Sequence, residues 1–186
     1  VEILSHENNS EILKKLLPEA IVSGYDEENA VKILKKKLDK ADVIILGPGL
    51  STENIAKGIV KFTLENVKVP IIIDADALNI ISADMSLLKN CQSTVIITPH
   101  IGEMTRLTGN SKTDILQNII KTADDFAKTY GVVCVLKDAV TVVAGPDADD
   151  CVYIKTSGCS AMSKAGCGDV LTGGIAAMLS LKLEPV

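Results

Sequence analysis

The sequence contains no tryptophan, and aromatic residues make up only 3% of it. A platform on which the bases of single-stranded nucleic acid stack is therefore not expected, because such platforms need several aromatic side chains. The chain also has no excess of basic residues, since its formal net charge is −5. Broad binding of nucleic acid requires a concentrated basic face and is disfavoured. The lysines at positions 35–37 lie in an amphipathic stretch and are most simply a solvated helix face.

Long hydrophobic runs and secretion signals are missing as well. No apolar stretch approaches the length of a membrane span, and no basic segment followed by an apolar one opens the chain. We therefore expect a cytoplasmic protein with no membrane partner. The cysteines, at positions 91, 134, 151, 159 and 167, are odd in number and lack the paired spacing of metal sites. Cys91, Cys134 and Cys151 lie in or beside apolar segments, which favours reduced thiols in the core.

Two phosphate-binding signatures are also absent. The chain has no Gly-Lys-Ser/Thr sequence of the P-loop type, and the Gly-Pro-Gly turn at residues 47–49 lacks the third glycine of a dinucleotide-binding fingerprint. Two interpretations of that turn remain open. It is either a plain connection between a strand and a helix, or Gly49 allows a ligand to approach the backbone closely.

Short apolar runs alternate with amphipathic stretches along the chain. Strands are predicted for residues 1–4, 43–46, 71–73, 95–97 and 132–136, and helices for residues 10–17, 26–38, 52–67 and 111–128. Asp26 is the expected N-cap of the second helix. Residues 140–144 and 151–154 flank a Gly-Pro-Asp turn and indicate an antiparallel pair. The alternation predicts an α/β fold, with a mostly parallel sheet covered by helices on both faces and a small antiparallel portion.

Polar residues and glycines cluster where these strands end. The clusters occupy residues 47–50, 74–79, 98–103 and 137–141, and a further turn lies at residues 166–169. In an open α/β sheet the carboxyl ends of the strands share one edge, where ligands bind. We therefore expect the five clusters to converge on a single site.

The turn Gly-Cys-Gly-Asp at residues 166–169 leads directly into a segment with helical periodicity. Gly166 and Gly168 permit a tight turn, and the free amides and dipole of a helix N-terminus attract an anion. Asp169 brings a carboxylate to this anion site, which is unfavourable unless it accepts a proton from an attacking hydroxyl or helps to hold a cation. Capping of the helix is the alternative role for Asp169. Phosphoryl transfer is the leading hypothesis.

One face of the helix predicted after this turn is apolar and consists of Val170, Leu171, Ile175, Met178 and Leu179.

The other strand ends carry residues with two candidate roles each. Asp74 and Asp76 stand two residues apart, so in an extended chain they point to one side. Either one of them holds Mg²⁺ or a hydroxyl, or the two cap helices. His100 either contacts a ligand or plays a structural role, and Glu103 either anchors hydrated Mg²⁺ or begins a helix. The turn at residues 137–141 either holds the phosphate and ribose of a nucleotide or edges a hairpin.

Several of these stretches together resemble one known family. They are GPGL at residues 47–50, DADALN at 74–79, TPHIGEMTRLTG at 98–109, LKDAVT at 136–141 and GCGDVLTGG at 166–174. In combination they are similar to the NAD(P)H-hydrate dehydratases of the ribokinase-like superfamily. The resemblance implies a ribokinase-like, three-layer α/β/α fold. It also implies an enzyme that restores NADH and NADPH from their hydrates, with ADP or ATP as cosubstrate and with Mg²⁺.

The resemblance further implies roles for individual residues. Gly49, His100 and Asp169 would contact the hydrated dinucleotide, and Asp169 would be the catalytic base. Gly166 and Gly168 would form the anion hole. The nucleotide cosubstrate would be held by Lys137, Asp138, Ala139, Val140, Thr141 and Gly168. No residue is assigned as a metal ligand.

The chain departs from the family pattern at several positions. Ser51 and Asp138 stand where glycine is usual, Cys159 replaces asparagine, and Ala165 and Cys167 replace glycine, serine or threonine. Asp138 is compatible with its turn, because aspartate tolerates a left-handed backbone better than most residues. The two cysteines change the hydrogen bonding available around the phosphate turn.

With 186 residues, 47% of them hydrophobic, the chain has ample material for one domain with a buried core. We expect residues 1–186 to be a single ribokinase-like catalytic domain, incomplete at both ends, because family members also carry an N-terminal glycine-rich segment and C-terminal helices. The family further implies a homo-oligomer, a tetramer. Three functions stay open: the dehydratase, a ribokinase-like vitamin or sugar kinase that releases its phosphate ester intact, and a nucleotide-sensing module that has lost catalysis.

Overall fold

The computed structural model describes residues 1–147, 152–158 and 164–185. Within these ranges the chain forms eight strands: β1 (Glu2–His6), β2 (Ile21–Tyr25), β3 (Ile44–Leu46), β4 (Ile71–Ile73), β5 (Val95–Ile97), β6 (Val133–Leu136), β7 (Thr141–Ala144) and β8 (Tyr153–Lys155). All the predicted strands are present, with ends that differ by one or two residues. The sequence pattern does not indicate β2, because Ser23 and Gly24 interrupt its apolar run.

The same ranges contain nine helices: α1 (Glu7–Leu16), α2 (Ala30–Leu38), α3 (Asn54–Asn66), α4 (Asp76–Ile81), α5 (Ser86–Asn90), α6 (Ile101–Thr108), α7 (Lys112–Gln117), α8 (Ile119–Tyr130) and α9 (Cys167–Ser180). None of these described helices combines the length and the apolar character that crossing a membrane requires.

Two predicted helices are wrong in their details. The helix predicted for residues 111–128 is divided into α7 and α8 at Asn118, whose φ of −132° and ψ of 36° are not helical. The Asn118 side chain bonds back to a carbonyl of α7, and asparagine competes for backbone groups in this way. Asp26 caps a turn that precedes α2, since its carboxylate accepts from the amides of the two residues before Ala30. The helix itself begins only at Ala30.

The main sheet contains six strands in the order β3-β4-β5-β6-β7-β8. Strands β3 to β6 are parallel to one another, and β7 and β8 are antiparallel to their neighbours. Strands β1 and β2 form a separate parallel pair. The predicted mostly parallel sheet with a small antiparallel portion is confirmed. Because β3 to β6 run in the same direction, their carboxyl ends lie along one edge.

Side chains alternate between the two faces of the main sheet. Ile71 and Ile73 of β4 pack in the larger apolar cluster with α3, α4, α6 and α8, whereas Ile72 lies in a smaller cluster on the other face. Helix α9 covers that second face through Ile175 and Leu179. The result is three layers, α/β/α, with α9 as the described helix of the third layer.

Helix α9 packs only part of its apolar face. Leu179 is buried, but Val170 is 77% exposed and Met178 is 55% exposed. The helix contacts the sheet along the side that carries Ile175 and Leu179, so the residues on either side of that line remain open. Among the described residues, nothing covers the outer side of the first turn of α9, where Asp169 and Val170 are exposed.

Candidate active site

The alternation of side chains extends past the strand ends and determines which residues face α9. By steps of two, Asp74 follows Ile72, Thr98 follows Ile96, and Lys137 follows Val135. Asp74 and Thr98 are buried, with 4% and 0% of their surface exposed. The sheet face below α9 thus ends in polar residues.

Asp74 and Lys137 form an ion pair across the end of β5. The Lys137 Nζ lies 3.0 Å from Asp74 Oδ1 and 3.3 Å from Oδ2. The backbone N–H of Lys137 donates to the Pro99 carbonyl at 2.7 Å, and Lys137 forms a parallel bridge with His100. Because β5 lies between β4 and β6, the pair and these backbone bonds join three strand ends into one unit.

Ala75 redirects the chain between the two aspartates of this edge. Its φ of 51° and ψ of −123° lie outside the regions that residues with a side chain usually adopt. Asp74 therefore faces Lys137, while Asp76 accepts a hydrogen bond from the Ser51 N–H at 2.8 Å. The prediction that both carboxylates point to one side is wrong, because it requires an extended chain. Strain of this kind is concentrated at functional sites.

The turn at residues 47–49 contains one glycine that the fold requires and one that faces open space. A Cβ on Gly47, where φ is 123°, would lie 1.9 Å from the Asp74 carbonyl oxygen. A Cβ on Gly49, where φ is 65°, would meet no described atom within 4 Å beyond its chain neighbours. Sequence reasoning singles out Gly49 and misses Gly47. The requirement for Gly47 becomes visible only when β4 lies beside β3.

Ser51 adopts a left-handed backbone, with φ of 68°, at a position where glycine is usual in the family. Such a conformation costs a residue with a Cβ about 1 kcal/mol. The hydrogen bond from its N–H to Asp76 offsets part of that cost. Asp138, the other departure from glycine, is not among the residues with positive φ, so its turn needs no tolerance of the left-handed region.

His100 caps helix α6 and presents one ring nitrogen outward. Its Nδ1 accepts hydrogen bonds from the N–H groups of Gly102 and Glu103 at 2.9 and 3.2 Å. The proton of the neutral ring is therefore on Nε2. Nε2 lies 3.7 Å from Glu103 Oε1, beyond hydrogen-bond distance, and the side chain is 56% exposed. His100 therefore has a structural role and also a donor, Nε2–H, that has no hydrogen-bond acceptor among the described residues.

Glu103 is buried and completes the capping box of α6. Its Oε2 accepts a hydrogen bond from the His100 N–H at 2.8 Å, and only 5% of its surface is exposed. Of its two candidate roles, the structure therefore favours the helix start.

The turn before α9 places Asp169 in the first turn of that helix. Gly166 has a φ of 87°, and the helix begins at Cys167. The Asp169 side chain is exposed and has no hydrogen-bond or ion-pair partner in the described ranges, so it does not act as a cap. A Cβ on Gly168 would lie 3.5 Å from both Asp74 Oδ2 and Lys137 Nζ. The first turn of α9 thus packs directly against the ion pair.

The predicted nucleotide turn joins β6 to the antiparallel strand β7. Asp138 and Ala139 are exposed at its tip, while Val140 and Thr141 are partly buried. The turn starts at Lys137 and is therefore continuous with the ion pair. With this turn, the structure brings all five predicted clusters to the same edge of the sheet.

The described cysteines differ in their environments. Cys134 is fully buried, and burial raises the pKa of its thiol to about 12. Burial also raises the pKa of the half-buried Cys91. Cys167 is exposed at the start of α9. The prediction of core thiols holds fully for Cys134, and Cys151 and Cys159 lie outside the described residues.

Three of the acidic side chains near the site are engaged by other groups. Asp74 pairs with Lys137, Asp76 binds the Ser51 N–H, and Glu103 binds its own helix start. Across residues 1–147, 152–158 and 164–185, no three Asp, Glu, His or Cys residues converge as metal ligands do. These residues therefore do not fit a magnesium cage built by the protein alone.

The sheet order and the site at its carboxyl edge define a ribokinase-like α/β protein. A ribokinase-like superfamily protein from Enterococcus faecalis has a TM-score of 0.80 and 28% identity, covering 100% of this chain and 62% of that one. The ADP/ATP-dependent NAD(P)H-hydrate dehydratase from Bacillus subtilis, co-crystallised with ATP/Mg²⁺ and soaked with CoA, has a TM-score of 0.77 and 29% identity. The match covers 100% of this chain and 66% of the Bacillus subtilis chain.

Sequence comparison narrows the class. The family model for NAD(P)H-hydrate dehydratase matches residues 1–186. The bifunctional NAD(P)H-hydrate repair enzyme Nnr of Moorella thermoacetica is 39% identical over 176 residues, which are 95% of this chain. The chain belongs to the NAD(P)H-hydrate dehydratase family. It spans 33% of the length of the Moorella relative.

Proposed function

We propose that this chain performs the nucleotide-dependent dehydration of (S)-NADHX and (S)-NADPHX, the hydrates of NADH and NADPH, and so repairs both cofactors. The observation that carries the proposal is the exposed Asp169 carboxylate, which has no partner in the described ranges and stands in the first turn of α9. A site that only bound phosphate would gain nothing from this negative charge. A base that removes a proton from an attacking hydroxyl requires it.

The hydrate is assigned to the side of the site formed by Gly49, His100 and Asp169. Gly49 faces open space, so a ligand can approach the backbone there. The Nε2–H of His100 can donate a hydrogen bond, because Nδ1 is already an acceptor. Asp169 then accepts the proton of the reacting hydroxyl.

The nucleotide, ADP or ATP, is assigned to the adjacent turn and to the start of α9. The N-terminal amides of α9, with the turn at Gly166 and Gly168, would stabilise charge on the transferred phosphoryl group. Mg²⁺ would reach the site on the nucleotide phosphates, which with water supply most ligands of magnesium in such complexes. No described side chain is assigned to the metal. The residues of the turn are Lys137, Asp138, Ala139, Val140 and Thr141.

The reaction can be written with these groups. Asp169 takes the proton of the hydroxyl as the hydroxyl oxygen attacks the terminal phosphorus, and the bond from phosphorus to the leaving ADP or AMP breaks. The lone pair of the ring nitrogen then expels inorganic phosphate from the carbon that carried the hydroxyl. Loss of a proton from the neighbouring carbon restores the dihydronicotinamide.

Asp169→Asn tests the proposal, because it removes the base and keeps the shape of the side chain. Turnover should fall by roughly 10²- to 10⁴-fold. The free energy of unfolding should fall by no more than about 1 kcal/mol, since the residue is exposed and loses only its interaction with the N-terminus of α9. The measurement is recovery of the absorbance of the reduced ring from hydrated NADH with ADP or ATP and Mg²⁺. Asp125→Asn, an exposed aspartate of α8, is the control. Near-normal turnover of Asp169→Asn rules out the base role.

A second candidate function is a ribokinase-like kinase. The specific observation in its favour is that the ion pair, the α9 turn and Asp169 could serve phosphoryl transfer to any suitably placed hydroxyl. A stable phosphate ester of a thiazole, a pyrimidine or a sugar alcohol, without recovery of NADH, would support it. If the chain is instead a nucleotide-sensing module, neither the wild type nor the Asp169→Ala variant would turn over the hydrate. The variant would then bind nucleotide more tightly than the wild type.

We also propose that residues 1–186 belong to a single ribokinase-like catalytic domain, and that the protein is a cytoplasmic homo-oligomer, a tetramer. The family resemblance supports this arrangement. Sedimentation of the purified protein measures the oligomeric state directly.

A further inference from the structure

The stability of the fold does not account for the Asp74–Lys137 ion pair. Replacing a buried ion pair by apolar residues of similar size is often neutral or stabilising, because both charges lose their hydration on burial. The Asp74 side chain is nevertheless only 5% exposed, and the Lys137 side chain 22%. This cost suggests that the pair serves the site.

The backbone fixes both partners of the pair. The Asp74 N–H donates to the Leu46 carbonyl at 3.1 Å, and the Lys137 N–H donates to the Pro99 carbonyl at 2.7 Å. Ala75 turns the following residues away, so the Asp74 carboxylate stays on the α9 side. A lysine without a partner samples many rotamers, and contact with both carboxylate oxygens restricts Lys137 to few of them.

The Lys137 ammonium is held against the first turn of α9. The position of a Cβ on Gly168 is 3.5 Å from Nζ, and among the described residues no side chain lies between them. An ammonium has three N–H donors, and the two oxygens of Asp74 are its acceptors within the described ranges. Within these ranges at least one donor therefore remains for a ligand, close to the N-terminal amides of α9.

We propose that Asp74 is a positioning residue for the nucleotide. It holds the Lys137 ammonium beside Gly168, so that one phosphate group meets the ammonium and the α9 amides together. The inference rests on the nucleotide-dependent function proposed above. Asp74 acts through Lys137 and does not itself touch the nucleotide.

The positioning role and a simple effect of charge lead to opposite expectations. A carboxylate near a phosphate repels it, so removal of the charge alone would tighten nucleotide binding. Loss of a positioning partner weakens binding instead, by roughly ten- to a hundredfold in the comparable case of residues that support metal ligands.

Calorimetric titration of ADP and of ATP into the full chain, at fixed Mg²⁺, distinguishes these expectations. Asp74→Asn should raise the nucleotide Kd by roughly ten- to a hundredfold. In a Lys137→Gln background the same change should not weaken binding further, because no ammonium is left to position. Asp124→Asn is the control. It breaks the lysine–aspartate pair of α8 in which Lys128 Nζ lies 2.8 Å from Asp124 Oδ1, and it should leave the nucleotide Kd unchanged.

The proposal is overturned if Asp74→Asn binds nucleotide as tightly as the wild type or more tightly. It is also overturned if Asp74→Asn weakens nucleotide binding equally in the wild-type and Lys137→Gln backgrounds. A purely structural role would lower the Tm without changing the Kd, and this result also overturns it. If Asp74→Asn does not fold, Asp74→Glu keeps the charge but displaces the ammonium. A higher nucleotide Kd for Asp74→Glu then supports positioning, and an unchanged Kd refutes it.

Dehydration by the wild-type chain is measured separately. If the wild type binds nucleotide but restores no NADH, the proposed function fails while the positioning role is still decided by the Kd values. If the wild type binds neither ADP nor ATP, both fail.

Discussion

Gly102 lies where the His100 ring packs against the first turn of α6, and it has no room for a side chain. A Cβ there would lie 2.8 Å from Cε1 and 3.2 Å from Nδ1 of His100. In Gly102→Ala the imidazole must therefore move. It then loses the two hydrogen bonds that its Nδ1 accepts from the helix start.

Two effects on stability oppose each other in this variant. Loss of an N-cap costs about 1 kcal/mol, whereas alanine gains up to about 1 kcal/mol over glycine in a helix. The free energy of unfolding should thus change by less than about 1 kcal/mol. The KM for the hydrate should rise roughly two- to tenfold, because the displaced Nε2–H no longer donates a hydrogen bond worth about 0.5 to 1.5 kcal/mol.

Urea unfolding and the absorbance of the reduced ring measure the two quantities. Gly58→Ala is the matched control, because Gly58 lies on α3 and a Cβ there would meet no described atom within 4 Å. The control should gain up to about 1 kcal/mol and keep its KM. A Gly102→Ala protein that gains the same stability and retains the wild-type KM would refute the reasoning.

Two further predictions concern the backbone and the thiols. Ser51→Gly relieves a left-handed conformation and should raise the free energy of unfolding by about 0.5 kcal/mol in urea, whereas Ser51→Ala retains the strain and should give no gain. Equal stability of the two variants would contradict this account. Alkylation of the folded protein at about pH 8 should modify the exposed Cys167 and spare Cys134, since burial raises the pKa of Cys134 to about 12. Peptide mass spectrometry locates the label, and modification of both thiols at equal rates would count against it.

The sequence was sufficient for features that depend on local rules. Runs of β-branched residues such as Ile71–Ile73 mark the strands, because both faces of the sheet are apolar there. The rule that parallel strands end at one edge places the polar clusters together. Detection of strands from apolar runs fails for β2, because its run is interrupted and the strand lies outside the main sheet.

Side-chain directions within the site could not be predicted in the same way. The φ of Ala75 depends on its surroundings, because alanine has no intrinsic preference for that conformation. Asp74 and Lys137 are 63 positions apart, and their contact depends on the strand order. The cap formed by His100 has a local signal, since a glycine two residues later leaves space for the ring.

Strand β4 is only three residues long, yet it serves two faces with different chemistry. A side-chain period of two means that deletion of a single residue exchanges those faces. The Asp74 carboxylate would then enter the apolar layer beneath α3 and α4, and Lys137 would face an isoleucine. Burying an unpaired charge is far more costly than changing the length of an exposed loop. Insertions and deletions among related sequences should therefore fall in helix connections such as residues 109–111, while β4 keeps a fixed length.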